Sequence, residues 1–404
     1  MTLINLKNSH LHYTEQSLCL GDYPLDKFAE LYPTPFYLYD ISILKKNYQT
    51  FLNAMRHELS INGLICFAVK SNNHPRVLEE LSALGSGADV VSFGELEESL
   101  KAGFPAKKIV FSGAGKTDEE ILKSIKITKG ELKSLNVESI DELESIIQIS
   151  NNIRTKINIS LRLNPATPGK THQHISTGGE DHKFGLLEDE IEHCIKLLNT
   201  QSLVTCVGIS MHIGSQLTCM GQTIKSFAKL INISSKLNTI TTLNVGGGLG
   251  IHYDTNSNSI VSIEEYMQTV STFLEKRAPK NVKEIIFEPG RYISATCGVL
   301  VTKVIREKRF FRIVDAGMND LIRPALYGAN HEIFPILRPS SGSEKIPLTI
   351  AGPICETGDF FTRDRLSFPV KKGDFLVISN TGAYGRVLAS SYNSRQLIKE
   401  YFTD

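Results

Sequence analysis

A chain of 404 residues with 44 basic and 43 acidic side chains is too long for one small core, and its formal net charge of +1 gives no field to steer nucleic acid or an acidic membrane surface. Its 41% hydrophobic and 22% charged content is that of an ordinary soluble protein, with no apolar run long enough to span a bilayer. The opening stretch, MTLINLKNSHLHYTE, lacks an apolar segment of signal-peptide length, so the cytoplasm is the expected compartment.

In chain order, thirty-odd weakly patterned residues lead to a short apolar strand, PFYLYD (35–40), and a helix near Leu44 to Leu59. Eight β-branched runs follow: LICFAVK (64–70), ADVVS (88–92), IVFSG (109–113), LNVES (135–139), INISLRLN (157–164), CVGISMHIG (206–214), TLNVGGG (242–248) and EIIFEPGR (284–291). Each is nearly continuous in apolar residues, as in strands buried on both faces. Between them lie stretches such as PRVLEELSALG and TDEEILKSIKITKG, with apolar residues three and four apart, acidic starts and glycine ends. This alternation predicts an α/β fold, a (β/α)8 TIM barrel. A doubly wound open sheet is the alternative, but it would normally carry fewer strands and a GxGxxG turn. After Arg291 the runs alternate and are separated by Gly, Pro and Asp turns, which predicts an antiparallel β-sandwich or barrel domain following the TIM barrel. The expected division is 36–285 for the barrel, and 1–35 plus 286–404 for the β domain.

Chemistry in such barrels gathers where strands finish. Lys70 ends the first run, and a lysine there either reaches for solvent or serves as a nucleophile. The other strand ends offer Asp89, Arg162, His212, Gly214-Ser215, Gly246-Gly247-Gly248 and Glu288-Pro289-Gly290-Arg291. Taken singly, a histidine here is usually a satisfied structural residue, GGG a turn, and Glu with Arg a salt bridge; Asp89 and Arg162 read as salt-bridge partners on the rim. Together the parts suit pyridoxal 5'-phosphate: an amine for its aldehyde, glycines for its phosphate, and a carboxylate to keep its ring nitrogen protonated. The cysteines (Cys19, Cys66, Cys194, Cys206, Cys219, Cys297, Cys355) never fall at CxxC spacing, so no zinc site or disulfide framework is expected, and the His172/His174 loop lacks other ligands. HExxH, GxSxG and GxxxxGK[ST] are absent.

From PTPFYLYD (33–40) to SSYNSR (390–395) the chain resembles the diaminopimelate decarboxylases, members of the alanine-racemase-like class that also includes ornithine decarboxylase. The motifs are FAVKSN, SGADVVSFGEL, THQHISTGGEDHKFG, HIGSQ, NVGGGLGI, EPGR, DAGMNDLIRPALY, GPICETGD and GAYG. The resemblance implies that Lys70 joins the cofactor aldehyde, His212 stacks on its ring and Glu288 pairs with its nitrogen. Ser215, Gly246 to Gly248 and the Pro289-Gly290-Arg291 turn would hold the phosphate, with Tyr384. Arg291, Arg323, Tyr327, Glu356 and Tyr384 match the substrate-binding set, and Cys355 the proton donor. A homodimer with shared active sites is implied, and no metal. The implied reaction takes meso-diaminopimelate to L-lysine and CO2. A carboxynorspermidine or basic amino acid decarboxylase, a racemase, or a non-catalytic pyridoxal-binding relative are the competing readings; Glu288 counts against racemisation, where an arginine faces the ring nitrogen. The chain departs from the family in CETGD for the commoner CESGD, in His174, and in Arg386 and Leu388. The Gly178-Gly179 segment is expected to form a mobile lid.

Overall fold

Strands Asn62–Ala68, Gly87–Val90, Ile109–Phe111, Ser134–Val137, Ile157–Leu163, Val204–Met211, Thr242–Asn244 and Glu284–Phe287 pair in parallel and in chain order. The eighth closes on the first, Phe287 opposite Ile65, so the barrel has no free edge. These are the eight runs marked by sequence, each strand ending one to four residues before its run does. Cys66, Val110 and Ile286 meet in a fully buried cluster, as expected of strands covered on both sides. The computed structural model describes residues 10–165, 183–212, 214–217, 219–253 and 260–403. The lid expected at Gly178-Gly179, and the His172/His174 loop, lie outside the described residues.

Helices follow the strands where the sequence supplies start signals. Thr117 opens Asp118–Thr128 with a capping box: its hydroxyl accepts from the Glu120 N–H at 3.2 Å, and the Glu120 carboxylate accepts from the Thr117 N–H at 3.0 Å. Ser92 and Ser139 cap Phe93–Lys101 and Ile140–Ile153, their hydroxyls accepting from the Glu95 and Glu142 N–H groups at 3.2 Å, each cap contributing about 1 kcal/mol. These caps fix the entry of each helix just beyond a strand end, and so fix the rim on which functional side chains sit.

Contacts divide the chain into two units. The barrel unit takes Tyr48–Gly250 and Ser259–Gly290; the β unit takes Met1–Asn47, Ile251–Asn258 and Arg291–Asp404, as far as these residues are described. The sheet of the β unit runs Ile333–Pro335, Phe375–Ile378, Gly298–Lys308, Phe311–Val314, Ile346–Ala351, Phe360–Ser367. Most neighbours are antiparallel, but Phe311–Val314 and Ile346–Ala351 pair in parallel. Phe36–Asp40, placed by sequence at the start of the barrel domain, pairs instead with Gly298–Val301 and lies parallel to Lys399–Thr403 at the C-terminus. All five of its residues are buried. Among the described residues no helix is long and apolar enough to cross a membrane.

Candidate active site

The first barrel strand stops at Ala68, two residues earlier than the apolar run, and Lys70 stands in the single 3-10 turn Val69–Ser71. Ser71 Oγ donates to the Ala68 carbonyl at 2.7 Å and steadies that turn. Lys70 Nζ lies 2.5 Å from Asp89 Oδ2 on the second strand. The lysine side chain is 38% exposed, the Asp89 side chain 0%. A wholly buried carboxylate therefore holds the ammonium at the rim rather than letting it run into solvent. Asp89 Oδ1 is also buried and has no hydrogen-bond partner among the described residues, which marks polar capacity left open beside the lysine.

Strands six, seven and eight converge on the same rim. Asn244 Nδ2 donates to Glu288 Oε1 at 2.6 Å, while its Oδ1 accepts from the Gly246 N–H at 2.9 Å. Burial, and then the charge of Asp89, push the Glu288 carboxyl up to about 8; Lys70 works the other way. His212 is pushed down to about 3 by burial and by the charges of Arg162 and Lys70, so its imidazole is neutral. His212 Nδ1 accepts from the Gly247 N–H at 3.2 Å, which leaves the ring proton on Nε2. The Gly246 and Gly247 amides are thus engaged by side chains. What the glycines chiefly give is close approach: a Cβ on Gly246 would stand 2.8 Å from His212 Nδ1, and one on Gly248, whose φ is +114°, 2.6 Å from the Gly214 carbonyl. The Ala68 N–H donates to the Pro289 carbonyl at 3.2 Å, and a Cβ on Gly290 would meet Ser71 at 2.9 Å, so the turn after strand eight abuts the Lys70 turn. Ser215 lies in a bend after strand six. Arg162 donates to Glu138 Oε1 at 2.6 Å, and Glu138 also accepts from the Gly113 and Gly185 amides.

A second cluster belongs to the β unit. Arg291 and Arg323 are 7% and 6% exposed, and both guanidiniums face the Tyr253 ring, at 5.5 and 4.3 Å from its centroid. Arg291 Nη1 donates to the Tyr253 hydroxyl at 2.5 Å, and its guanidinium lies 4.7 Å from the Tyr384 ring. Arg323 Nη1 donates to His331 Nε2 at 2.7 Å, and the His331 Nδ1–H donates to the Ser379 carbonyl at 2.7 Å. Tyr384 adopts a left-handed backbone, φ +55°, unusual for a bulky residue and expected where structure over-determines a functional side chain. Tyr327, half-buried, ends the short helix Arg323–Tyr327.

Cys355 and Glu356 sit on an exposed turn of this unit. The buried Asp359 carboxylate organises the turn by accepting from the Ile354 and Met318 amides, each at 2.7 Å. Among the described residues, the Cys355 N–H donates to Asn393 Oδ1 and Glu356 Oε1 accepts from the Tyr392 hydroxyl. Within the barrel unit, then, Lys70, His212, Glu288 and the glycines share one rim; within the β unit Arg291, Arg323 and Tyr384 form one cluster while Cys355 and Glu356 stand on a separate turn. Sequence reasoning missed Asn244, Glu138, Tyr253, His331 and Asp359. Asn244, inside TLNVGGG, and Asp359, inside GPICETGD, were within reach of a residue-by-residue reading; His331, in HEIFP, carried no signal.

These residues fit pyridoxal phosphate. The amine at the first strand end, the carboxyl whose bonded partner is the neutral Asn244, the uncharged imidazole and the glycine turns that admit no Cβ are the parts that the group requires. The family model for the pyridoxal binding domain of pyridoxal-dependent decarboxylases matches residues 44–295. The chain is 40% identical to a diaminopimelate decarboxylase of Vibrio cholerae over 94% of its length and 90% of the relative. It is 36% identical to that of Aquifex aeolicus over 100% of this chain and 94% of the relative. The crystal structure of Helicobacter pylori diaminopimelate decarboxylase complexed with L-lysine superposes with a TM-score of 0.87 at 37% identity, covering 94% of each chain.

Proposed function

This chain belongs to the diaminopimelate decarboxylase family of pyridoxal-dependent decarboxylases, and we propose that Lys70, His212, Glu288, Arg323 and Cys355 carry the reaction of that family. It is a carboxy-lyase that converts meso-diaminopimelate to L-lysine and CO2 with pyridoxal phosphate as cofactor. Bound pyridoxal phosphate supplies an aldehyde that captures amines and a protonated ring that takes up the electron pair left when the α-carboxylate departs.

The observation that carries the assignment of roles is Glu288: a half-buried carboxyl at the end of strand eight, beside the strand that leads to Lys70, held by Asn244 and pushed up to about 8. Such a group keeps a proton at a ring nitrogen. Lys70 would supply the amine for the cofactor's aldehyde, its Nζ held 2.5 Å from the Asp89 carboxylate. His212, neutral and fixed through Nδ1, offers an uncharged face for stacking. Within the barrel unit, Ser215 and the turns at Gly246 to Gly248 and Pro289 to Gly290 would hold the phosphate. Arg323 binds the substrate's remote carboxylate and Glu356 its remote ammonium, with Arg291, Tyr327 and Tyr384 completing the pocket. Arg323 favours this substrate over ornithine or lysine, which carry no second carboxylate. Loss of CO2 leaves the bonding pair on the α-carbon, and the proton on Cys355 Sγ closes the new C–H bond. The exposure of Cys355 and Glu356 on a turn stiffened by Asp359 supports donation of both to the site of a second copy, in a homodimer. We place the enzyme in the cytoplasm.

Purified enzyme with pyridoxal phosphate should release one CO2 and one L-lysine per meso-diaminopimelate, with carboxynorspermidine, ornithine and lysine poorer by orders of magnitude. Equal or better turnover of any of the three would replace this reading.

A further inference from the structure

We propose that His331 is a positioning residue for substrate recognition: as a neutral hydrogen-bond acceptor it fixes the Arg323 guanidinium so that the remaining donors of the fork face the remote carboxylate. The proposal rests on Arg323 as the carboxylate-binding residue. Arg323 is 6% exposed, and its described partners are neutral, the His331 Nε2 at 2.7 Å and the Tyr253 ring at 4.3 Å. A buried guanidinium with neutral partners keeps its full charge for an incoming anion, whereas a carboxylate in place of His331 would cancel it. The imidazole itself is held on two sides. The Ser379 carbonyl can only accept, so the ring proton must be on Nδ1, and Nε2 is left with a lone pair aimed at Arg323. The Tyr253 ring packs edge-on to His331 at 5.0 Å and prevents rotation. Burial and the Arg323 charge both keep the imidazole from gaining a second proton. Arg323 can therefore neither swing nor be neutralised, although Tyr253 lies 70 residues before it in the chain and Ser379 56 residues after it.

Two variants separate positioning from bulk structure. His331→Asn keeps a donor where Nδ1 stands, for Ser379, but is too short to reach Arg323; His331→Gln places an acceptor where Nε2 stands. Loss of one hydrogen bond to a charged group predicts that His331→Asn raises KM for meso-diaminopimelate roughly ten- to a hundredfold, while kcat falls by less than about threefold. Inhibition by L-lysine, which keeps the remote amino acid group, should weaken in parallel, and His331→Gln should restore most of both. In an Arg323→Ala background His331→Asn should add almost nothing to KM. A measurement on the wild-type enzyme needs no variant to fold: nitrogen-resolved spectra of labelled histidine should show His331 as the neutral Nδ1–H form near neutral pH. Unchanged KM in His331→Asn, a kcat loss without a KM change, additivity with Arg323→Ala, or a charged or Nε2–H imidazole would each overturn the inference. Failure of the wild type to decarboxylate meso-diaminopimelate would instead overturn the reading on which it rests.

Discussion

The two clusters differ in how they treat charge. On the barrel rim the ions answer one another: Lys70 meets Asp89 at 2.5 Å and Arg162 meets Glu138 at 2.6 Å. In the β unit Arg323 is buried against an aromatic ring and a neutral imidazole. A self-compensated cluster can hold a reactive amine and trade one proton locally, which suits covalent chemistry with a cofactor. A cluster with uncompensated positive charge costs stability until an anion arrives, which suits recognition of a substrate carboxylate. On the proposed roles, one fold keeps reaction and selection on different elements.

The contrast breaks most sharply at Lys70. Lys70→Ala should abolish turnover and the visible absorbance of enzyme-bound pyridoxal phosphate; a retained band in gel-filtered protein would contradict the assignment. Arg323→Ala probes the other cluster, and loss of a forked contact to a carboxylate should raise KM for meso-diaminopimelate about a hundredfold with a much smaller change in kcat. A kcat loss of the same size with KM unchanged would move Arg323 from recognition to chemistry.

Both clusters were unevenly legible in the sequence. The eight barrel strands announce themselves because burial on both faces demands continuous apolar runs, and chain-order parallel pairing then follows from the helices between them. Phe36–Asp40 has the same apolar composition, yet its partners are Gly298–Val301 and the C-terminal strand, more than two hundred residues away. Periodicity reports burial and carries no information about such a partner. The same holds for the parallel pairing of Phe311–Val314 with Ile346–Ala351. Lys70, His212 and Glu288 could be read from strand ends, and Asp89 was read as a salt-bridge residue without its partner being identified. His331 could not be read, since its effect depends on Arg323, Ser379 and Tyr253 meeting in space.

The proposed homodimer sharpens the comparison with an intermediate effect. Lys70→Ala and Cys355→Ala proteins, each inactive alone, should recover about a quarter of wild-type activity after equal mixing, since half the dimers would hold one intact site of two. No recovery after verified subunit exchange would count against a shared site. The smallest expected effect concerns Glu288. Its carboxyl is raised to about 8, so the folded protein keeps this proton to higher pH than the unfolded chain. The favourable contribution is complete below the ordinary carboxylate range and is lost as pH rises through about 8. Cofactor-free Glu288→Gln should therefore melt a few degrees above cofactor-free wild type at about pH 9 and show little advantage at about pH 5. His212 titrates in the opposite sense but is present in both proteins, so it cancels from the difference. An unchanged difference across that range would show that Glu288 is not held protonated.

The most direct test of the central claim is to reduce the pyridoxal phosphate-loaded enzyme with borohydride and map the modified peptide. The expected product carries a single pyridoxyl group, on Lys70. Modification of a different lysine, with Lys70 recovered unlabelled, would contradict it.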